Sequence, residues 1–220
     1  MTFFHIAKAI GFASPTILTI GISIGLYQFN RINNMHKSIL LYMVLMLGID
    51  LASRFLGGSG NNLIILPLFS LIELAFFVFF YNKYLLNKAN KILAGIGVAG
   101  ALFIVAEILQ YFVFNTLNVK QFQPYAKVAD NFIVIIMALV FFYQKMNSYS
   151  ETKWDNFKLN IAILIFFTFN TIIFLPFNFL INESSGVKHY FWIGNLVMLL
   201  LFYIYLTSLI WKNGRVKQVS

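Results

Sequence analysis

The chain has no cysteine, which excludes disulfides, thiolate metal sites and cysteine nucleophiles. Charge is scarce as well: 10% of its 220 residues are charged, against about 25% in a soluble globular domain. Three histidines and seven acidic residues leave little material for metal or acid–base chemistry. What fills the chain instead is hydrophobic, 60% of it, with 26 Phe and 11 Tyr. Apolar runs of about 20 residues recur from end to end, which is the pattern of a polytopic membrane protein and leaves no room for a soluble catalytic domain.

In lipid a backbone must satisfy its own hydrogen bonds, so each such run is read as a helix. The runs lie at 9–29, 38–56, 63–82, 92–114, 127–144, 158–181 and 190–211, separated by segments rich in Asn, Ser, Gly or Lys such as "NRINNMHK" and "GGSGNN". The expected fold is therefore all-α, a single domain of seven transmembrane helices over 1–211, with a short basic tail at 212–220. The first run is too long for the core of a signal peptide and has only Lys8 before it. Pro67 falls in the first turn of its helix, whereas Pro15 and Pro176 stand where they would kink helices one and six. Gly95, Gly97 and Gly100 offer helix four a surface for close packing.

The net charge of +9 comes without a basic cluster interleaved with aromatics, so no nucleic acid is expected as a partner. Its distribution reports topology. Arg31, Lys37, Lys83, Lys88, Lys91, Lys145, Lys153, Lys158, Lys212, Arg215 and Lys217 fall on one side of the seven spans. Lys8, Arg54, Lys120, Lys127 and Lys188 fall on the other. The richer side is cytoplasmic, which puts the N-terminus outside and the C-terminus inside. Trp192 and Trp211 near the two ends of the last run fit interfacial positions.

Four carboxylates lie inside the runs: Asp50, Glu73, Glu107 and Asp130. Each costs roughly 2.5–3.5 kcal/mol near the bilayer centre, so each is expected to face other helices and to have a partner. At about 1.5 Å per residue, Asp50, Glu107 and Asp130 fall in the outer half and Glu73 near the midplane, with Arg54 one turn above Asp50. Gln110, Asn131, Ser70, Asn170 and Asn195 follow the same trend. Together these residues outline an outward-facing polar pocket with Phe76, Phe77, Phe166, Phe167 and Phe191 as walls. The expected ligand-binding set is Asp50, Arg54, Glu73, Glu107, Gln110, Asp130, Asn170 and Asn195. An excess of acids over bases would suit protons, a small cation or an amine. The packing reading of the same residues makes Asp50 and Arg54 a neutralised clip, Glu73 and Glu107 protonated interhelical donors, and Asp130 a partner of Lys127.

Chemistry beyond binding finds less support. His5, His36 and His189 do not supply the histidine set that intramembrane zinc hydrolases of the ceramidase and adiponectin-receptor type use, and no metal, cofactor or catalytic residue is expected. The last run lacks the lysine a retinal Schiff base needs. Asn182 opens the glycosylation sequon "NES", which matters only in a eukaryotic secretory pathway.

Three stretches, "PLFSLIELAFFVFFYNKYL", "ADNFIVIIMALVFFYQK" and "YFWIGNLVMLLLFYIYL", resemble small bacterial seven-helix membrane proteins of the Bacteroidetes type, including the membrane regions that precede histidine kinases. The resemblance implies a sensory role in a bacterial cytoplasmic membrane, with no catalytic residues. The sequence shows no phospho-acceptor domain after the last helix, so either a separate cytoplasmic signalling protein is the expected partner or the chain is a fragment. The alternatives are a lipid-modifying membrane hydrolase and a transporter or ion conduit, the latter calling for polar lining that continues inward.

Overall fold

The computed structural model describes residues 3–58, 63–87, 90–114, 122–147, 156–182 and 186–216. The sequon after Asn182, part of the segment 145–158, Lys120 and the tail beyond Val216 fall outside them. Every regular element among the described residues is helical: α1 (Phe3–Tyr27), α2 (Asn34–Gly58), α3 (Ile65–Phe80), α4 (Lys91–Ile108), α5 (Tyr125–Asn147), α6 (Phe157–Phe174), a short α7 (Phe177–Asn182) and α8 (Val187–Val216). α3 and α4 each run on into a π-helical turn, Tyr81–Leu85 and Leu109–Val113. With those turns included, α2, α3, α4, α5, α6 and α8 are long and apolar enough to cross a membrane, while the corresponding stretch of α1 is Gly11–Tyr27. This is compatible with a helical membrane bundle.

Two helix ends differ from the sequence expectation. The sixth run stops at Phe174 and resumes at Phe177, because Pro176 has no N–H to continue the ladder. Gln123 serves the interrupted end, its Nε2 donating to the carbonyls of Phe174 and Leu175 at 2.8 and 2.9 Å. The last helix continues past Trp211 to Val216 instead of ending in a loose tail. Asn213 and Gly214 hold that extension: Asn213 Oδ1 accepts from the Asn33 N–H at 3.2 Å, and Gly214 lies against the side chain of Gln28, where a Cβ would collide.

The helices gather into two compact units, Met1–Asn62 with His189–Ser220, and Leu63–Lys188. In the first, α1 packs along α2, and Tyr42 of α2 meets Phe202 of α8 edge to face at 6.4 Å. The second is organised around α5, which packs on α3, α4 and α6. Its buried residues run Lys127, Asp130, Asn131, Val134, Met137, Ala138 and Phe141, the spacing of one broad helix face. α3 turns Pro67, Ser70, Glu73, Leu74, Phe77 and Phe80 inward with the same spacing.

Of the three glycines of α4, Gly97 and Gly100 permit close approach and Gly95 does not. A Cβ at Gly97 would stand 2.5 Å from Cγ2 of Val78, a branched carbon with no slack, whereas one at Gly95 would meet nothing within 4 Å. Gly97→Val should therefore cost about 1–3 kcal/mol through overpacking. Gly95→Ala should be neutral or gain up to about 1 kcal/mol of helix propensity. Unfolding midpoints of the two variants in one detergent check this, and equal losses would disprove the asymmetry.

Candidate functional site

The inward faces of α3 and α5 do not meet as apolar surfaces. They meet at Glu73, Lys127 and Asp130, three charged side chains that are 0%, 1% and 0% exposed. The Lys127 Nζ donates to Glu73 Oε2 and, at 2.8 Å, to Asp130 Oδ2. Asp130 lies one turn along α5 from Lys127, and Glu73 comes across from α3, so a single ammonium ties the two helices together. Two aromatic rings complete its surroundings, Phe69 at 4.4 Å and Phe167 at 5.5 Å from the nitrogen to the ring centroid. Both distances suit cation–π attraction, which strengthens away from water.

Hydrogen bonding around the cluster is incomplete. Asp130 Oδ1, the second oxygen of a carboxylate already paired through Oδ2, has no partner, and neither end of the adjoining Asn131 amide has one. Asn131 is nevertheless 0% exposed. Each buried polar atom left unpaired costs about 1–3 kcal/mol. With its three charged groups ionised, the cluster carries one negative charge more than it neutralises.

Glu107 occupies a neighbouring position with a different task. Its Oε2 accepts from the N–H of Ala126 at 2.7 Å, in the first turn of α5. An acid there caps an orphan donor and meets the positive end of the helix dipole. α4 thus positions the start of α5, and Lys127 follows Ala126 directly. Gln110 does not share this face. It stands exposed at the start of the π-helical turn Leu109–Val113, whereas Glu107 is buried.

Asn170 is buried on α6 within the same unit, and Phe76, Phe77, Phe166 and Phe167 form its aromatic interior, with Phe77 and Phe167 edge to face at 4.9 Å. Only Phe167 of the expected walls faces the ammonium; Phe69 was not anticipated. In the other unit, Asn195 is half-buried on α8 and Phe191 likewise. Asp50 and Arg54 are joined at 2.7 Å, and the Arg54 guanidinium also donates to the Gly11 carbonyl at 2.5 Å and lies over the Phe12 ring at 5.1 Å. Arg54 thereby clips α2 to α1. With side chains 37% and 26% exposed, the pair is partly open, unlike the Lys127 cluster.

Sequence reading placed one group short of its role and missed another. Lys127 was expected as a partner of Asp130 and as an outer charge at the start of its helix, not as the centre of a buried cluster, yet α5 starts at Tyr125 and turns it inward. Its spacing of three from Asp130 is the signal that points to a pair. The second is a polar node where α3 passes into its π-helical turn: Tyr81 Oη donates to Asn160 Oδ1 at 2.7 Å, and Asn160 Nδ2 donates to the Ala138 carbonyl at 3.1 Å. It joins α3, α5 and α6. Among the described residues no three His, Asp or Glu side chains converge so as to hold a metal ion.

Comparison with known proteins returns no match, whether to family models, to curated proteins or to solved structures.

Removing Lys127 would strand two acids in an apolar interior. Lys127→Met should cost about 3–5 kcal/mol, and adding Glu73→Gln and Asp130→Asn should recover most of that, since an ion cluster replaced as a whole is often neutral. Thermal unfolding of the single, double and triple variants forms the cycle. Additive losses, with no recovery in the triple variant, would show that the three residues do not act as one cluster.

Proposed function

We propose that the chain is a seven-helix membrane sensor, receptor-like in organisation, with its N-terminus outside and its C-terminus in the cytoplasm. The resemblance to bacterial membrane regions that precede histidine kinases suggests the class, and a bacterial cytoplasmic membrane as its location. The observation that carries the proposal is the buried Glu73–Lys127–Asp130 cluster, an ionic tie between α3 and α5 with an unpaired acid oxygen and an unpaired amide beside it. Such a tie changes strength with any change in its charge. A proton, a small cation or an amine arriving from the outer end of α5 would relieve the excess negative charge and shift α3 against α5.

The opposite end of α5 carries Lys145 and leads into the segment 145–158, which, with the basic C-terminal tail, is what a separate cytoplasmic protein would read. The orientation gains support once Lys127 and Arg54 are set aside, since they serve buried or partly buried acids and are not loop charges. The remaining outer bases are Lys8, Lys120 and Lys188, against the same inner set. Within Leu63–Lys188 the inner end is consistent, since the Asn87 N–H, beside Lys83, donates to Gln144 Oε1, next to Lys145. A conduit is less well supported than a sensor. Below the cluster lie Phe77, Phe80, Phe141 and Phe166, all buried, and the hydrogen bonds of the Asn160 node are made within the protein.

The test is hydrogen exchange on the purified protein in nanodiscs, at mildly acidic and mildly alkaline pH and with sodium, potassium or small alkylamines added. At least one of these probes should change protection over 145–158 or the C-terminal end of α8, and Asp130→Asn should abolish the change. Flux of the same ion through proteoliposomes would favour transport instead. A response that survives in Asp130→Asn, or none to any probe, overturns the reading.

A further inference from the structure

Where α3 passes into its π-helical turn and α4 begins, the Leu63–Lys188 unit has an open surface groove of about 480 Å³. One wall is apolar, formed by Val78, Phe79 and Ala94. The rim at the other side carries Lys83 and Lys91, both exposed and neither paired with a carboxylate among the described residues. The acids described are committed elsewhere: Asp50 to Arg54, Glu73 and Asp130 to Lys127, Glu107 to the start of α5.

The rim is built and not merely a meeting of loops. The Asn90 N–H donates to Asn82 Oδ1 at 2.8 Å, and Asn82 Nδ2 donates to the Val78 carbonyl at 2.9 Å. Asn90 Oδ1 in turn caps α4, accepting from the N–H groups of Ile92 and Leu93. Asn82 and the Asn90 Oδ1 thus hold the two helix ends together, and the two ammonium groups are the charged groups that face a ligand. Lys83 is steadied at the lip by the rings of Phe79 at 4.9 Å and Tyr84 at 5.5 Å. The groove therefore offers two fixed positive charges at one edge and hydrocarbon beyond them, at the point where two apolar spans end.

We propose that this groove binds an anionic phospholipid, its phosphate between Lys83 and Lys91 and an acyl chain along Val78, Phe79 and Ala94. A free anion would meet the lysines but gain nothing from the apolar wall, and a zwitterionic lipid would gain the wall but not the charge. Only a lipid with net negative charge uses both. Nothing in this depends on the sensor reading; it requires only that the helices lie in a bilayer.

The protein is reconstituted in nanodiscs of phosphatidylcholine with a minor share of phosphatidylglycerol, and the lipid retained after mild detergent extraction is measured by native mass spectrometry. The native chain should retain phosphatidylglycerol over phosphatidylcholine, and Lys83→Gln with Lys91→Gln should lower that preference about thirtyfold, as expected for two basic residues at a membrane surface. Lys145→Gln with Lys158→Gln, which removes two bases outside the groove, should leave it unchanged. All four lysines are exposed or lie at helix ends, so unfolding midpoints close to that of the native chain are expected and serve as the folding control. Equal retention of the two lipids, an unaltered preference in the Lys83 and Lys91 variant, an equal fall in both variants, or release of the lipid by inorganic phosphate would each overturn the proposal.

Discussion

An ammonium group inside an apolar bundle persists only where anions and aromatic faces replace the water it has given up. Lys127 has two carboxylates and two rings, and the helices that supply them are held in register by that requirement. Glu107 acts in the same service by fixing the first turn of α5, so four helices contribute to the placement of one charge. The cluster specifies which faces of α3 and α5 meet. Apolar packing alone would not, because a Phe-rich surface can be satisfied by many rotations against another one.

The same economy governs the helix ends. Gln123 takes up two carbonyls at the break between α6 and α7, Asn90 caps α4 while bound to Asn82, and Asn213 carries α8 past its apolar stretch by meeting the Asn33 N–H. In each case one amide side chain replaces a backbone partner the local sequence cannot provide. A chain so poor in charge satisfies its polar groups with Asn and Gln, whose amides both donate and accept and cost less to bury than an ion.

Hydrophobic run length disclosed the helices because the demand on backbone hydrogen bonds in lipid acts locally, and every run expected to be helical contains a helix. Glu73, Glu107 and Asp130 were legible as interior acids for a related reason: a carboxylate in an apolar run costs too much against lipid and has to turn toward other helices. What the run could not disclose was rotation. Glu107 and Gln110 stand three apart, yet one is buried and the other exposed, since a spacing of three still leaves two residues about 60° apart around the helix axis. Lys127 was legible as a partner of Asp130 but not as the centre of the cluster, since α5 begins two residues earlier than expected and a lysine at a helix end is normally solvated and counts toward topology. Asp50 and Arg54 were legible as a pair from their spacing, but the Gly11 carbonyl that completes the contact lies on another helix and leaves no trace in the local pattern.

The distance along the chain between Glu73 and Lys127 has a consequence for biogenesis. Fifty-four residues separate them, and α4 intervenes, so α3 is synthesised and delivered to the membrane before its counter-charge exists. At about 5–20 residues per second, the Glu73 carboxylate waits roughly 3–10 s for Lys127. During that interval lipid is a poor environment for α3, and keeping it at the insertion machinery until α5 emerges avoids the cost. Insertion and ion pairing are then a single step, and the helices that share the charge leave for the bilayer together.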